Sequence, residues 1–428
     1  MRLRYAGFRE EGIYNEAGET PAIFHVDIAS AGLDAPSDSD LIHSGGIGRS
    51  NSLRRPGFYS PSGNVVYAWD ISTIGWLLKW ALGGYEYTVG SVPAQAEVQV
   101  LYLGGATGGT FVLGNGIDVT PPLAFGASAT DIDTALETLF DTVDKVTVVV
   151  GADFTITFDA AAIGRSGLIA YFGGLTGATD PTLTETVPYL PTLNRHEFFG
   201  TDEGVLPSFQ AYIGKDVFEH NFHGCCLDNL ELAADEGFCL ATGDIVAARD
   251  TKEALLTVAD LLLPTTYPLA FHEVTMRLAG EAATEARVKK MALKIPNGLE
   301  TGRRLGSRHP IRLTAGAREL ELTTELYFDS MDELNRFWGA ATGPDPLGGS
   351  EFAVSIIFDA GDDGILTVAC PRAYYATLGT QPSGKDELVQ SATIKLLADA
   401  ITLDDAVTVV NSELLITLDN AITELVHV

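Results

Sequence analysis

Residues 316–343 read GARELELTTELYFDSMDELNRFWGAATG, and the two periods inside this stretch decide the fold. Leu320, Leu322, Leu326 and Phe328 alternate with Glu319, Glu321 and Glu325, which is the period of a strand with one buried face and one outward face. From Asp329 the pattern becomes that of a helix over 329–343, opening on an Asp that caps free N–H groups and running out at glycine. The same succession occurs earlier. Residues 57–84, GFYSPSGNVVYAWDISTIGWLLKWALGG, carry Gly57 and Asp70 at the 13-residue spacing of Gly316 and Asp329. Here Val65, Tyr67 and Trp69 alternate with Asn64, Val66 and Ala68 before a helix over 70–84. Upstream, GRSNSLRRPG (48–57) parallels GSRHPIRLTAG (306–316). Downstream, SFQAYIG then GCCLDNLELAA parallels EFAVSIIFD then ACPRAYYATLG, less closely. The reading is an internal duplication of a strand, helix and strand-pair unit. The alternative is two β-rich domains with a shared turn grammar.

Outward from these copies the chain reads as mainly β. Runs such as EVQVLYL, KVTVVVG, FTITFDA and ILTVACP are bounded by Gly, Pro, Asp and Asn, and 45 glycines suit many tight turns. Residues 94–190 interrupt the first copy with a pattern complete in itself: strands, a helix over 128–140, then strands again, closed by PYLPTLN. This is the signature of a small α+β module inserted at an exposed loop with its ends close together. The expected division is therefore 1–93 with 191–270 as a first β domain, 94–190 as the insert, and 271–428 as a second β domain.

With 428 residues, two or three domains are expected. Asp and Glu number 57 against 27 Lys and Arg, a net charge of −30, which argues against sequence-independent grip on DNA. No apolar run follows the arginines of MRLRYAGFREEG, and the longest apolar stretches are broken by Lys79, Asp260 and prolines, so a soluble chain without a signal peptide is expected. Four cysteines (Cys225, Cys226, Cys239, Cys370) make no disulfide framework; buried free thiols are expected, with a Cys225 or Cys226 link to Cys239 as the alternative.

No catalytic motif survives inspection: GxSxG, HExxH, a Walker A loop and a dinucleotide fingerprint are all missing. LGGATGGTF and FGGLTGATD lack the lysine and following helix of a phosphate loop and read as hairpin turns. His220 and His223 with Cys225 or Cys226 invite a metal reading, but a strand points the two histidines to opposite faces. The Asp-rich turns FDAGDDG (358–364) and SDSD (37–40) lack calcium-loop spacing. Neither catalytic residue nor metal nor cofactor is expected, and a structural or binding protein is favoured over an enzyme.

Three motifs in order then point to a family. YAGFREEGIYNEAGETPA, RRPGFYSPSGNVVYAWDISTIGWLLKWALGG and LPSFQAYIGKDVFEHNFHGCCLDNLELAADEG resemble segments of the tail tube proteins of long-tailed bacteriophages and archaeal tailed viruses. The resemblance covers most of 1–93 and 191–250 and, through the repeat, 290–400. VQVLYLGGATGGTFVL, ASATDIDTALETL and VTVVVGADFTITFDAAAIG are similar to a small domain of phage virion proteins, commonly a decoration on the particle exterior. The resemblance implies two tandem tail-tube-like β-barrel or sandwich units, each with a flanking helix, where the simplest relatives have one. Three chains would then make a pseudo-hexameric ring, with a homohexamer as the alternative, and rings would stack into the DNA conduit of a virion tail assembled in the host cytoplasm. Implied partners are the chain itself and the tape measure, tail terminator and baseplate or tip proteins; DNA passes without specific binding, and no membrane is involved.

On this reading Glu319, Glu321 and Glu325 are candidates for the lumen, where carboxylates repel phosphates. Their first-copy counterparts Ser60, Ser62 and Val66 are uncharged. Arg49, Arg54, Arg55, Arg303, Arg304, Arg308 and Arg312 are ring-stacking candidates, with solvated loop charges as the alternative. Trp76, Leu77 and Trp80, and Leu334, Phe337 and Trp338, are expected to seat the two helices in the core. The competing function is a surface adhesin or carbohydrate-binding β-protein, against which the insert's aromatics stand mostly at core-type positions. Net charge divides as −3 over 1–93, −9 over 94–190 and −18 over 191–428, so lumen repulsion is not its sole cause; a high-salt host is a second.

Overall fold

The computed structural model describes residues 4–16, 23–26, 28–34, 40–44, 51–92, 94–160, 163, 166–187, 189, 192–280, 287–346, 348–380 and 388–425. The fold is mainly β, with three α-helices among these residues: α1 (Ile74–Leu82), α2 (Ala129–Leu139) and α3 (Asp332–Trp338). The chain divides into two compact units, Met1–Thr88 with Arg195–Val428, and Val89–Asn194.

In the larger unit, among the described residues, eighteen strands are joined in one sheet, and eight of them run side by side, antiparallel, as one continuous face. We number them in chain order: β1 (Ile28–Ala31), β2 (Ser62–Ala68), β3 (Glu219–Ala234), β4 (Leu240–Val246), β5 (Val288–Pro296), β6 (Glu321–Tyr327), β7 (Gly364–Thr380) and β8 (Val389–Leu397). Across the sheet the order is β1, β2, β4, β3, β5, β6, β8, β7. Two strands are long enough to serve in two pairings. The first part of β3 pairs with Phe209–Lys215 on one edge and Arg249–Glu253 on the other, and its second part joins β4 and β5. The first part of β7 likewise pairs with Phe352–Asp359 and Leu415–Asn420 before its second part joins β8. Each strand changes partners near a residue suited to an irregularity: Gly224, at φ +59°, and Pro371, beside a register shift opposite Phe352 and Val354.

The alternation expected over 320–328 holds as far as Leu326, and Phe328 is half-buried. Leu320, Leu322 and Leu326 are buried while Glu321, Thr323 and Glu325 are half-buried on the other face; Val65, Tyr67 and Trp69 are buried likewise in the first copy. The two halves do not form separate barrels: among the described residues the pairing does not close, because hydrogen bonding continues from β3 directly into β5. One apolar cluster runs through both, with Trp69 packed edge-on against Phe358 at 4.9 Å. A cut at 270/271 would pass through this core.

Helix α1 forms where Asp70 accepts from the backbone N–H of Ser72 at 2.8 Å and of Thr73 at 3.1 Å, and it ends at Gly83, at φ +82°. It is almost wholly inside: Leu77 and Trp80 are buried, Trp80 stacking on Phe209 at 4.3 Å, while Trp76 is half-buried. Truncating Trp80 to Ala would cost about 3–5 kcal/mol. Helix α3 departs from expectation. Leu334, Phe337 and Trp338 are only half-buried, and the fully buried side chain is Glu333. Its carboxylate is satisfied by Arg336 at 2.6 Å, Arg287 at 3.3 Å and the Tyr375 hydroxyl at 2.5 Å, so a polar cluster seats this helix in place of leucine and tryptophan.

The smaller unit has its own core, including Leu101, Phe111, Ile132, Leu136, Ile156 and Phe158. Helix α2 begins with a capping box in which Ser128 and Asp131 exchange side-chain to backbone hydrogen bonds. Its chain enters through Gly83–Val92 and leaves through Leu193–Gly200, two strands paired with each other.

Candidate functional site

The face of the eight-stranded sheet opposite the core is the candidate site, and register fixes which side chains meet on it. Ser30, Val66, Thr242, Glu231, Lys294, Glu321, Lys395 and Tyr374 are successive partners across all eight strands. From β3 to β8 this row alternates in charge. Lys294 lies 3.6 Å from Glu231, and Lys395 lies 3.0 Å from Glu321 and 3.8 Å from Glu319. Two pleat repeats away, Lys290 stands opposite Glu325 at 2.8 Å. The carboxylates hold the Lys290 and Lys395 ammonium groups above their ordinary pKa, chiefly through these hydrogen bonds. Between the two charged rows runs a third of small residues, Ala233, Ala292, Thr323, Thr393 and Thr377, flooring a groove of about 430 Å³.

Of the expected lumen residues, Glu321 and Glu325 thus lie on the face opposite the core, and Glu319 just precedes β6, exposed. Each has a lysine partner. Sequence reasoning passed over Lys290, Lys294 and Lys395; the signal was the spacing of Lys290 and Lys294 around Met291, Leu293 and Ile295, which puts both lysines on the outward face of a strand. The first half presents Glu231 and Asp244 here, the latter accepting from Asn229 at 3.1 Å.

The arginine candidates separate. Arg49 and the side chain of Arg54 lie outside the described residues; Arg55 is exposed on a hairpin of Asp40–Ser44 with Asn51–Pro56. A second hairpin pairs Glu300–Gly302 with Arg312–Thr314, and its turn packs against residues 57–59. Arg303 lies 4.4 Å from the Phe58 ring centre, and Arg308 donates to the Gly57 carbonyl at 3.0 Å while its own carbonyl accepts from Tyr59 N–H at 2.7 Å. Arg304 and Arg312 are exposed, as is Leu305 at the turn.

The other chemical candidates are absorbed by packing. All four cysteines are buried and free, burial pushing Cys226, Cys239 and Cys370 up to about 12; the alternative link to Cys239 is not made. His220 bonds to Asp250 at 2.6 Å and His223 to Thr251 at 3.0 Å. In the FDAGDDG turn Asp359 accepts from Gly361 N–H at 2.9 Å; residues 37–39 of SDSD lie outside the described residues. Among the described residues no group of three or more His, Cys, Asp or Glu could hold a metal, and no helix is long and apolar enough to cross a membrane.

The face thus carries cross-strand charge pairs on a continuous sheet. The family model for phage tail tube protein matches residues 4–404. The chain belongs to this family. No curated protein matches it. As a phage tail tube protein it is a structural, non-enzymatic component of the virion tail that self-assembles into a tube and meets other tail proteins.

Proposed function

We propose that three copies of this tail tube protein close into a pseudo-hexameric ring, that the eight-stranded sheet lines its channel, and that stacked rings carry DNA through the tail. The observation that carries this reading is the pairing of β3 with β5. Each half contributes four strands in the same order: β1, β2, β4, β3 and then β5, β6, β8, β7. The flanking strands correspond as well, Arg4–Glu10, Phe209–Lys215 and Arg249–Glu253 matching Val274–Leu278, Phe352–Asp359 and Leu415–Asn420. This correspondence supports the internal duplication. The second part of β7 therefore stands where β3 does, and β1 where β5 does, so the end of one chain's sheet is built to take the start of the next. A ring joined in this way leaves no free edge in the channel wall.

Three such chains give about 24 strands, while six would double the barrel, whose width grows with strand number. That favours three. The unit Val89–Asn194 is proposed as an inserted decoration, supported by its separate core and by the paired strands that deliver it. Of the exposed arginines, Arg55, Arg304 and Arg312 are the candidates for contacts between rings, since Arg303 and Arg308 are engaged at Phe58 and Gly57. The tape measure fits the channel, and the terminator and baseplate or tip proteins the two ends. Electron microscopy of the purified protein tests the reading: rings or tubes with a central channel are expected, and strictly monomeric particles at high concentration and high salt would contradict it.

A further inference from the structure

A channel face that lets DNA slide should carry no cation that phosphate can capture, yet three of the nine lysines in the chain lie on this one. They are not buried away from the channel side. Their side chains remain 41% exposed for Lys290, 44% for Lys294 and 27% for Lys395. What distinguishes them is that each lies within reach of a carboxylate on the strand beside it: Glu325 for Lys290, Glu231 for Lys294, Glu321 for Lys395. The register makes each of these a directly opposed pair, with side chains on the same face.

The geometry points to masking. We propose that Glu231, Glu321 and Glu325 act on this face by covering three lysines, and that without them the face would bind duplex DNA through its phosphates. This inference rests on the reading that the sheet lines the channel. It differs from repulsion by a bulk negative field. At physiological salt a charge is felt over about 8 Å, so a passing phosphate responds to the local balance on the face and little to the chain's net −30. Counting Glu231, Asp235, Asp244, Glu319, Glu321 and Glu325 against Lys290, Lys294 and Lys395, that balance is −3 per chain. Neutralising the three covering glutamates brings it to 0 and takes from each lysine its directly opposed carboxylate, while the whole molecule stays strongly acidic.

The test uses the full-length chain with Glu231→Gln, Glu321→Gln and Glu325→Gln combined, mixed as dissociated subunits with a short fluorescein-labelled duplex DNA at low ionic strength. The native protein is expected to give no anisotropy change. The triple variant is expected to bind at least about tenfold more tightly than the native chain, with affinity falling as salt rises, because lysines displace condensed counterions. Adding Lys290→Gln, Lys294→Gln and Lys395→Gln should abolish the gain. A control with Glu185→Gln, Glu203→Gln and Glu424→Gln removes as much charge from exposed positions elsewhere and should not bind. The single variant Glu325→Gln, which changes one half-exposed side chain, should show a partial gain and guards against misfolding of the triple. Binding by the control equal to that of the triple variant, or no binding by folded triple and single variants, overturns masking. Electron microscopy of the same proteins under assembling conditions separates the two ideas: rings without DNA binding by the dissociated variants refute masking alone, and DNA binding by variants of a protein that never forms rings refutes the ring alone.

Discussion

Lys294 on β5 stands directly opposite Glu231 on β3, with Nζ and Oε2 3.6 Å apart, at the pairing that joins the first half of the chain to the second. The pair marks the seam as a designed junction, but its energy is small. Both side chains are more than a quarter exposed, and a cross-strand ion pair in that setting contributes about 0.2–1 kcal/mol. A double-mutant cycle with Lys294→Ala and Glu231→Ala in urea should give a coupling of about 0.5 kcal/mol that fades with added salt. A coupling unchanged by salt would mean the two residues meet through packing.

The free side of β7 should be the ring contact. Ala376 is exposed and is left out of the ladder by the register shift between Tyr375 and Thr377, a place where proline is tolerated. Ala376→Pro should therefore keep the subunit folded, with a thermal midpoint within a few degrees of native, and remove ring formation by blocking the added strand. Rings formed by this variant would show that β7 is not the joining edge.

Glu333 should be among the most sensitive positions in the second half. Removing its carboxylate with Glu333→Ala leaves Arg287 and Arg336, both largely buried, without their shared partner, and should cost about 3–5 kcal/mol in denaturant. Replacing Glu333, Arg287 and Arg336 together by leucine should recover most of that loss. If the single and triple variants were equally unstable, the cluster would be needed for its shape and not for charge balance.

His223 sets a pH dependence whose sign can be worked out. Burial first, then the nearby Arg249 guanidinium, lower it to about 4, while an unfolded chain takes up the proton near 6.5. Between those values the unfolded state binds more protons, so this group's contribution to stability is full above about 6.5 and is lost as pH falls toward 4, with a slope approaching about 1.4 kcal/mol per pH unit. Glu11, Glu197 and Glu219 act in the opposite sense, because burial raises each of them. The comparison of native with His223→Gln isolates the histidine: the variant should lose less stability on acidification from pH 6.5 to 4.5. Parallel curves would contradict the assignment.

Deleting residues 94–190 and closing the gap with a short Gly/Asn turn should leave rings intact, since the removed unit has its own core and the paired strands Gly83–Val92 and Leu193–Gly200 both remain whole. Loss of assembly would make that unit part of the ring and not an appendage.

Much of this was legible in the sequence because strand alternation and the spacing of Gly57 to Asp70 and Gly316 to Asp329 are local signals. Local patterns of this kind gave the alternating strands and the three helices. The carboxylate partners of Lys290, Lys294 and Lys395 were not legible, since β5 meets β3 and β6 through a register that no local pattern states. Nor was the burial of Glu333. Leu334, Phe337 and Trp338 outweigh it by hydrophobicity, and only Arg287 and Tyr375, distant in sequence, make the acid the better core residue.

The central claim is that one chain supplies two of six equivalent positions in the ring. Native mass spectrometry of isolated rings tests it most directly. The account predicts three copies of the 45.5 kDa chain per ring; a ring of six copies would contradict it.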